Sequence, residues 1–141
     1  MEIKRLGPGD EALVMEAGHL FDETPRPDAV HRFLNDPLHH LFIAIEGGKP
    51  VGFVSGVELT HPDKGTEMFL YELAVDDGHR RRGTGTALVQ ALRDLAREHG
   101  CYDMWVLTDE DNMAALATYR KTGSSEYSTH LMLTWPLTGD S

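Results

Sequence analysis

The sequence predicts a mixed α/β (α+β) fold in one domain, residues 1–141: a central sheet of roughly six or seven strands flanked by about four helices. Three observations carry this. Residues 67–100 read as a buried strand, a loop rich in glycine and arginine, and an amphipathic helix. The elements run strand, two helices, three strands, helix, strand, helix, strand, which is a meander feeding a βαβ crossover. The composition, 40% hydrophobic and 26% charged over 141 residues, is that of a globular chain long enough to bury a full core.

Residues 2–6 alternate weakly, as a first or edge strand does, and Gly7-Pro8-Gly9 closes them. Asp10 stands where a cap is needed for a helix through about Phe21, with Ala12, Leu13, Ala17 and Leu20 as its apolar face. The stretch Asp22-Glu23-Thr24-Pro25-Arg26-Pro27 breaks that helix. A second helix begins near Pro27 or Asp28, carries Val30, Phe33 and Leu34, and ends before Asn35-Asp36-Pro37. Residues 41–45 form a strand, Gly47-Gly48 joins it to a strand over 51–57, and a turn at 61–65 leads into the central strand, 68–75. Strict alternation there sets Met68, Leu70, Glu72 and Ala74 on one face and Phe69, Tyr71, Leu73 and Val75 on the other.

Over residues 86–99, Leu88, Ala91, Leu92 and Leu95 recur at helical spacing, and Gly100 is the stop. A strand over 102–107 follows, then a helix from Asp111-Asn112 through Thr122, halted by Gly123. Residues 126–135 alternate as a half-exposed last strand, ended by Pro136.

Composition also excludes. No apolar run approaches the roughly 20 residues needed to span a bilayer, no signal peptide precedes Met1-Glu2-Ile3-Lys4, and one cysteine, Cys101, rules out an internal disulfide. A cytoplasmic location is the expectation, with Cys101 a buried apolar filler. With 23 acids against 13 Lys and Arg, nucleic acid is disfavoured as a partner and a polycationic small molecule is favoured. The histidine pair His39-His40, His61 and His130 lack metal-ligand spacing and read as turn or surface residues; no metal is expected. His79 is a solvated loop residue or touches a phosphate.

The loop before the long helix has the makings of an anion site. A helix start exposes unpaired N–H groups and partial positive charge. Gly83 and Gly85 permit close approach, and Arg80, Arg81 and Arg82 add forked donors in a chain of net charge −10. Two nucleotide motifs match weakly: Gly78 and Gly83 have the spacing of a P-loop but Thr84 replaces its lysine, and Gly83, Gly85 and Leu88 give only a fragment of a dinucleotide fingerprint.

What fits is Arg80-Arg81-Arg82-Gly83-Thr84-Gly85, which resembles the [Q/R]xxGx[G/A] signature of the GNAT superfamily of acyl-CoA-dependent N-acyltransferases, flanked by LAV and ALV as is typical there. The resemblance implies the GNAT fold and acetyl-CoA as the cofactor, held at Leu73, Ala74, Val75, Arg80, Arg81, Arg82, Gly83, Thr84, Gly85, Thr86 and Ala87. The NxxAxxxYxxxG spacing from Asn112 to Gly123 looks like the family's helix beside the pantetheine arm, through Asn112, Ala115 and Tyr119. Here Ser124-Ser125 follow the glycine where the family usually has an aromatic.

The resemblance makes Tyr119 the general acid; a core tyrosine bonded to a backbone carbonyl is the other reading. Glu72, a carboxylate amid apolar surface, should have a raised pKa suited to a general base; a structural ion pair is the alternative. The backbone of Ala74 or Val75 is the expected oxyanion donor.

The stretch YELAVDDGHRRRGTGTALVQ is similar to GNAT-type aminoglycoside 3-N-acetyltransferases, in which Glu72 takes the place of an aspartate. By that resemblance the substrate is a primary amine of an aminoglycoside, with antibiotic resistance as the role and Asp22, Glu23, Glu72, Glu110 and Asp111 as substrate-binding acids. For these clusters helix capping and solvated surface is the plainer reading, and for Asp111 capping comes first. A homodimer is expected, met through Leu131, Leu133 and Trp135.

Overall fold

The computed structural model describes residues 1–80 and 82–139. Five strands form one sheet in the order β1-β2-β3-β4-β5: β1 Glu2–Arg5, β2 His39–Glu46, β3 Lys49–His61, β4 Gly65–Val75 and β5 Met104–Val106. The first four pair antiparallel and β5 joins β4 in parallel, as the crossover through a helix requires. Helices α1 Glu11–Glu16 and α2 Pro27–Asn35 cover one face, and α3 Thr84–Glu98 with α4 Met113–Lys121 the other.

Each layer follows from its apolar stripe. On α3, Leu88, Val89, Leu92, Leu95 and Ala96 are buried against Val54, Met68 and Leu70 of the sheet. Two glycines of β3 let α3 lie this close: a Cβ at Gly56 would stand 2.8 Å from Leu92 Cδ1 and 3.0 Å from Met68 Sδ. The opposite core joins Val14 and Ala17 to Val30, Leu34, Ile43 and Phe53, with Phe21 stacked on Phe53. No described helix is long and apolar enough to cross a membrane.

Several expectations are corrected. The first helix ends at Glu16, with a separate 3₁₀ turn over Gly18–Leu20, because Gly18 weakens the helix where the chain turns back onto Pro25. Asp10 does not cap it with its side chain; its carboxylate accepts from Gly7 N at 2.8 Å and faces Lys4 Nζ at 3.9 Å. Strand β5 has three residues rather than six, and residues 126–135 form no strand among the described residues.

The face assignment on β4 also changes. Ser55 pairs with Glu72 but Gly56 with Leu70, so Tyr71 is an extra, bulged residue. Met68, Leu70, Leu73 and Val75 therefore pack toward α3, while Ala74 joins the α1/α2 core, and Glu72, opposite Ser55 and two residues before Ala74, shares its face. One bulge moves the carboxylate to the side opposite that set by strict alternation.

Candidate active site

The loop after β4 and the start of α3 build the first cleft. Gly83 is the N-cap of α3 at φ 79°, a left-handed conformation that glycine adopts without strain. Ala87 N donates to Gly83 O at 2.9 Å, so the Ala87 amide is spent, whereas the amides of Thr84, Gly85 and Thr86 have no partner among the described residues. A cleft of about 230 Å³ opens there, lined by His79, Arg80 and residues 83–86 on one side and by Ala117, Thr118 and Lys121 of α4 on the other.

The donors in it are mostly uncommitted. Thr84 is 2% exposed, and its Oγ1 has no hydrogen-bond partner among the described residues. Arg80 meets Asp77 at 3.3 Å, a surface pair that an incoming anion displaces at little cost, whereas Arg82, 3.7 Å from Glu46, does not line the cleft. Arg81 lies outside the described residues. Lys121 and Thr118 went unnoticed in the sequence, although Ala117 and Lys121 stand four apart and share a helix face. His79, left open between two readings, lines the cleft. The far wall is fixed from α3: Arg93 Nη1 donates to Thr122 O at 2.7 Å, and Thr122 is buried.

The second part is an open strand edge. Pairing of β4 with β5 stops at Leu70–Val106, so on that side Leu73, Ala74 and Val75 have no strand partner among the described residues. The antiparallel ladder turns the backbone groups of Ala74 toward Phe53 of β3, so it is Leu73 and Val75 whose N–H and C=O groups face the open side toward α4, and Arg80 Nε reaches Val75 O at 3.4 Å.

Glu72 is half-buried, and its carboxyl pKa is raised from 4.5, first by burial and then by the charge of Asp22. The fold thus brings two of the sequence-predicted acids together. Glu23, Glu110 and Asp111 are exposed, and no contact among the described residues ties them to Glu72; Glu110 accepts from Thr129 Oγ1 at 3.3 Å. Asp111 is not the cap of α4. That role belongs to Asn112, whose Oδ1 accepts from Ala115 N at 3.1 Å, so its side chain is committed there and does not line the cleft.

Tyr119 packs against the α3-side core, and burial raises its phenol pKa. Burial is the one cause of that shift, and no bond from its hydroxyl to a backbone carbonyl occurs among the described residues. Ala115 is half-buried one turn earlier.

On the α1/α2 face a second, almost wholly apolar cleft of about 180 Å³ is lined by Phe33, His39, Val57, Phe69, Tyr71 and Ser55. Ser55 Oγ is buried and without a partner among the described residues, and Ser55 is the cross-strand neighbour of Glu72.

A further polar cluster corrects the reading of the histidines. His40 is 2% exposed and gives Glu58 Oε2 a contact of 2.6 Å, while His99 Nδ1 meets the same oxygen at 2.9 Å. These three groups have metal-ligand composition, within 4.8 Å of one another. Yet Arg5 Nη2, always a donor, lies 3.5 Å from His40 Nδ1, which favours the tautomer protonated at Nε2 and committed to Glu58. The cluster reads as a buried hydrogen-bonded brace between β2, β3 and the end of α3.

Residues 11–123 match the acetyltransferase (GNAT) family. A probable N-acetyltransferase family 8 member 5 of Mus musculus is 31% identical over 121 residues, covering 82% of this chain and 52% of its own length. The chain spans roughly half the length of the curated relatives it matches. Among solved structures, an aminoglycoside acetyltransferase from an uncultured soil metagenomic sample, in complex with sisomicin, superposes with a TM-score of 0.88 at 23% identity, over 97% of this chain and 96% of that one. A second aminoglycoside acetyltransferase, also from an uncultured soil metagenomic sample, has a TM-score of 0.80 at 29% identity, over 96% of this chain and 98% of that one.

Proposed function

This chain belongs to the acetyltransferase (GNAT) family, and from that premise we propose that it moves an acetyl group from acetyl-CoA to a primary amine of a cationic small molecule, an aminoglycoside at its 3-N amine. The observation that carries the coenzyme half is the cleft at the start of α3, where three amides and the buried Thr84 hydroxyl have no partner among the described residues, beside the side chains of Arg80 and Lys121. That donor set suits a diphosphate. The open edge over residues 73–75 suits an amide-bearing chain laid beside the strand. When bound, acetyl-CoA supplies the acetyl group already activated as a thioester.

The protein's own groups do the rest. Glu72 takes the proton from the acceptor ammonium, a task favoured by its raised pKa, and Asp22 beside it attracts the cation. With acetyl-CoA bound, the Val75 amide on the open edge would stabilise the charge that develops on the carbonyl oxygen as the N–C bond replaces the C–S bond. Tyr119, kept protonated by burial, would give its proton to the leaving thiolate, and the second proton shed by the acylated nitrogen would restore the phenol. Holding both reactants in line supplies much of the remaining acceleration. One cysteine and dependence on acetyl-CoA fit a cytoplasmic reaction.

The aminoglycoside assignment draws support from the two solved neighbours, the net charge of −10 and the Asp22–Glu72 pair. Thiol-release kinetics over an aminoglycoside panel, with the product located by mass and NMR spectroscopy, tests it. Turnover with a 3-N-acetyl product is expected; no product from any aminoglycoside alongside turnover of other amines overturns it. One observation favours a second reading: the apolar cleft beside Ser55 suits an amine carrying an apolar side chain, such as a protein N-terminus or an amino-acid derivative. Faster acetylation of a phenylalanyl peptide than of any aminoglycoside decides for that reading.

A further inference from the structure

On the α1/α2 face of the sheet, Ser55 of β3 is a hydroxyl set among apolar side chains. Along its own strand Phe53 and Val57 share its face, and its partner across the ladder on β2 is Leu41. Phe53 and Leu41 belong to the α1/α2 core. Ser55 is 6% exposed, and its Oγ has no hydrogen-bond partner among the described residues. A hydroxyl buried in that condition is rare and costly, so a partner gained in another state of the protein is held firmly.

Glu72 can be that partner. It is the register partner of Ser55 on β4, and opposed residues of an antiparallel pair share a face with Cβ atoms about 5 Å apart. Rotation about the serine and glutamate side-chain bonds spans that gap without moving the backbone. The other ionisable groups on this face are committed elsewhere or of the wrong kind. His39 of β2 lines the same apolar cleft, but it lies 3.7 Å from Asp36 with its ring edge-on to Phe33. Tyr71 of β4 is 64% exposed, its ring edge-on to Phe69. Asp22, from the segment before α2, brings a second carboxylate, which repels the first.

We propose that Ser55 is a positioning residue for the base: when Glu72 is ionised, the Ser55 hydroxyl turns to donate to one carboxylate oxygen and leaves the other to face the acceptor ammonium. This rests on the reading of Glu72 as the base. The donated bond favours the charged carboxylate, so it offsets part of what burial and Asp22 impose on Glu72.

The test titrates Glu72 directly as well as through turnover. Carboxyl-carbon NMR of the ligand-free protein, with Glu72→Gln to assign the signal, gives the midpoint with no reaction needed. Ser55→Ala should raise that midpoint by about one unit, the loss of one hydrogen bond to a charged group. Ser55→Thr, which keeps the hydroxyl, should leave it at the wild-type value. The acid limb of kcat should move up with the midpoint, lowering kcat on that limb about tenfold, while the KM for acetyl-CoA stays unchanged. Because Ser55→Ala raises the folded-state pKa, its Tm should match the wild type below the titration of Glu72 and drop beneath it above; a hydroxyl that only packs would shift Tm equally at every pH. An unmoved midpoint in Ser55→Ala, a Tm offset independent of pH, or an acid limb that follows His39→Gln instead overturns the proposal. A midpoint that moves while no amine is acetylated leaves the hydrogen bond standing and overturns the reading of Glu72 as the base.

Discussion

Replacing Gly83 and Gly85 in turn separates what the anion cleft demands of its backbone from what it demands of space. At Gly83 a Cβ would meet nothing within 4 Å, so the whole cost of Gly83→Ala is the left-handed φ of 79°. That strain is worth about 1–2 kcal/mol. With an unfolding entropy of about 2.1 cal/mol/K per residue over a chain of 141 residues, it lowers Tm by roughly 3–7 °C. At Gly85, inside α3, φ is ordinary and a Cβ would rest 3.7 Å from Val75 Cγ2 and 3.8 Å from Thr118 Cγ2, which is normal contact. Gly85→Ala should leave Tm unchanged or raise it, since alanine gains up to about 1 kcal/mol over glycine in a helix.

Coenzyme affinity adds a second axis. Relief of the strain at Gly83 turns the first amides of α3 away, and losing one charge-assisted hydrogen bond, about 1.5–3 kcal/mol, weakens coenzyme A roughly 10- to 100-fold. Differential scanning calorimetry and titration calorimetry read the two quantities. Equal stability of both variants, or undiminished coenzyme affinity in Gly83→Ala, refutes the reasoning.

The remaining predictions concern protons. Glu72→Gln should lower kcat about 10²- to 10⁴-fold with coenzyme affinity retained. The acid limb of the wild-type rate profile should lie above 4.5, because base action requires Glu72 ionised and burial, then the charge of Asp22, raises its pKa; Asp22→Asn should move that limb down, and a limb indifferent to Asp22 counts against their coupling. Tyr119→Phe should cost turnover without costing stability, since the hydroxyl has no partner among the described residues; a loss of Tm with unchanged kcat would make it a packing residue. Burial lowers the pKa of His40 below 6.5, so the unfolded chain takes up that proton first, and stability present above about 6.5 should fall as pH drops through that value. For Glu58 burial alone would raise the pKa, but hydrogen bonds from His99 and His40 outweigh it, so the decline extends below 4.5. Thermal unfolding across pH checks this, and a flat profile contradicts it.

The strand, loop and long helix were legible because each is written in local chemistry: the apolar stripe of α3, Gly83 at the left-handed N-cap of that helix, and Pro27 at the first position of α2. The face of Glu72 was not, because alternation is a local rule and the bulge at Tyr71 is set by the register of β3 against β4, a long-range property. His40 looked like a turn residue because its partner Glu58 lies 18 positions further along the chain and His99, which shares that carboxylate, another 41 beyond Glu58. Lys121 joined the cleft because Arg93 fixes the end of α4, a contact across 29 residues that no spacing reveals. Residues 126–135 read as a strand because the alternation of a strand is there, but among the described residues no strand lies beside them, and pairing is a long-range property that alternation does not carry.

A crystal structure with acetyl-CoA is the most direct test of the account. The diphosphate should lie on the amides of residues 84–86 beside Thr84 Oγ1 and Arg80, with the thioester between the open edge of β4 and the Tyr119 hydroxyl. A coenzyme seated anywhere else, or none bound at saturating concentration, contradicts it.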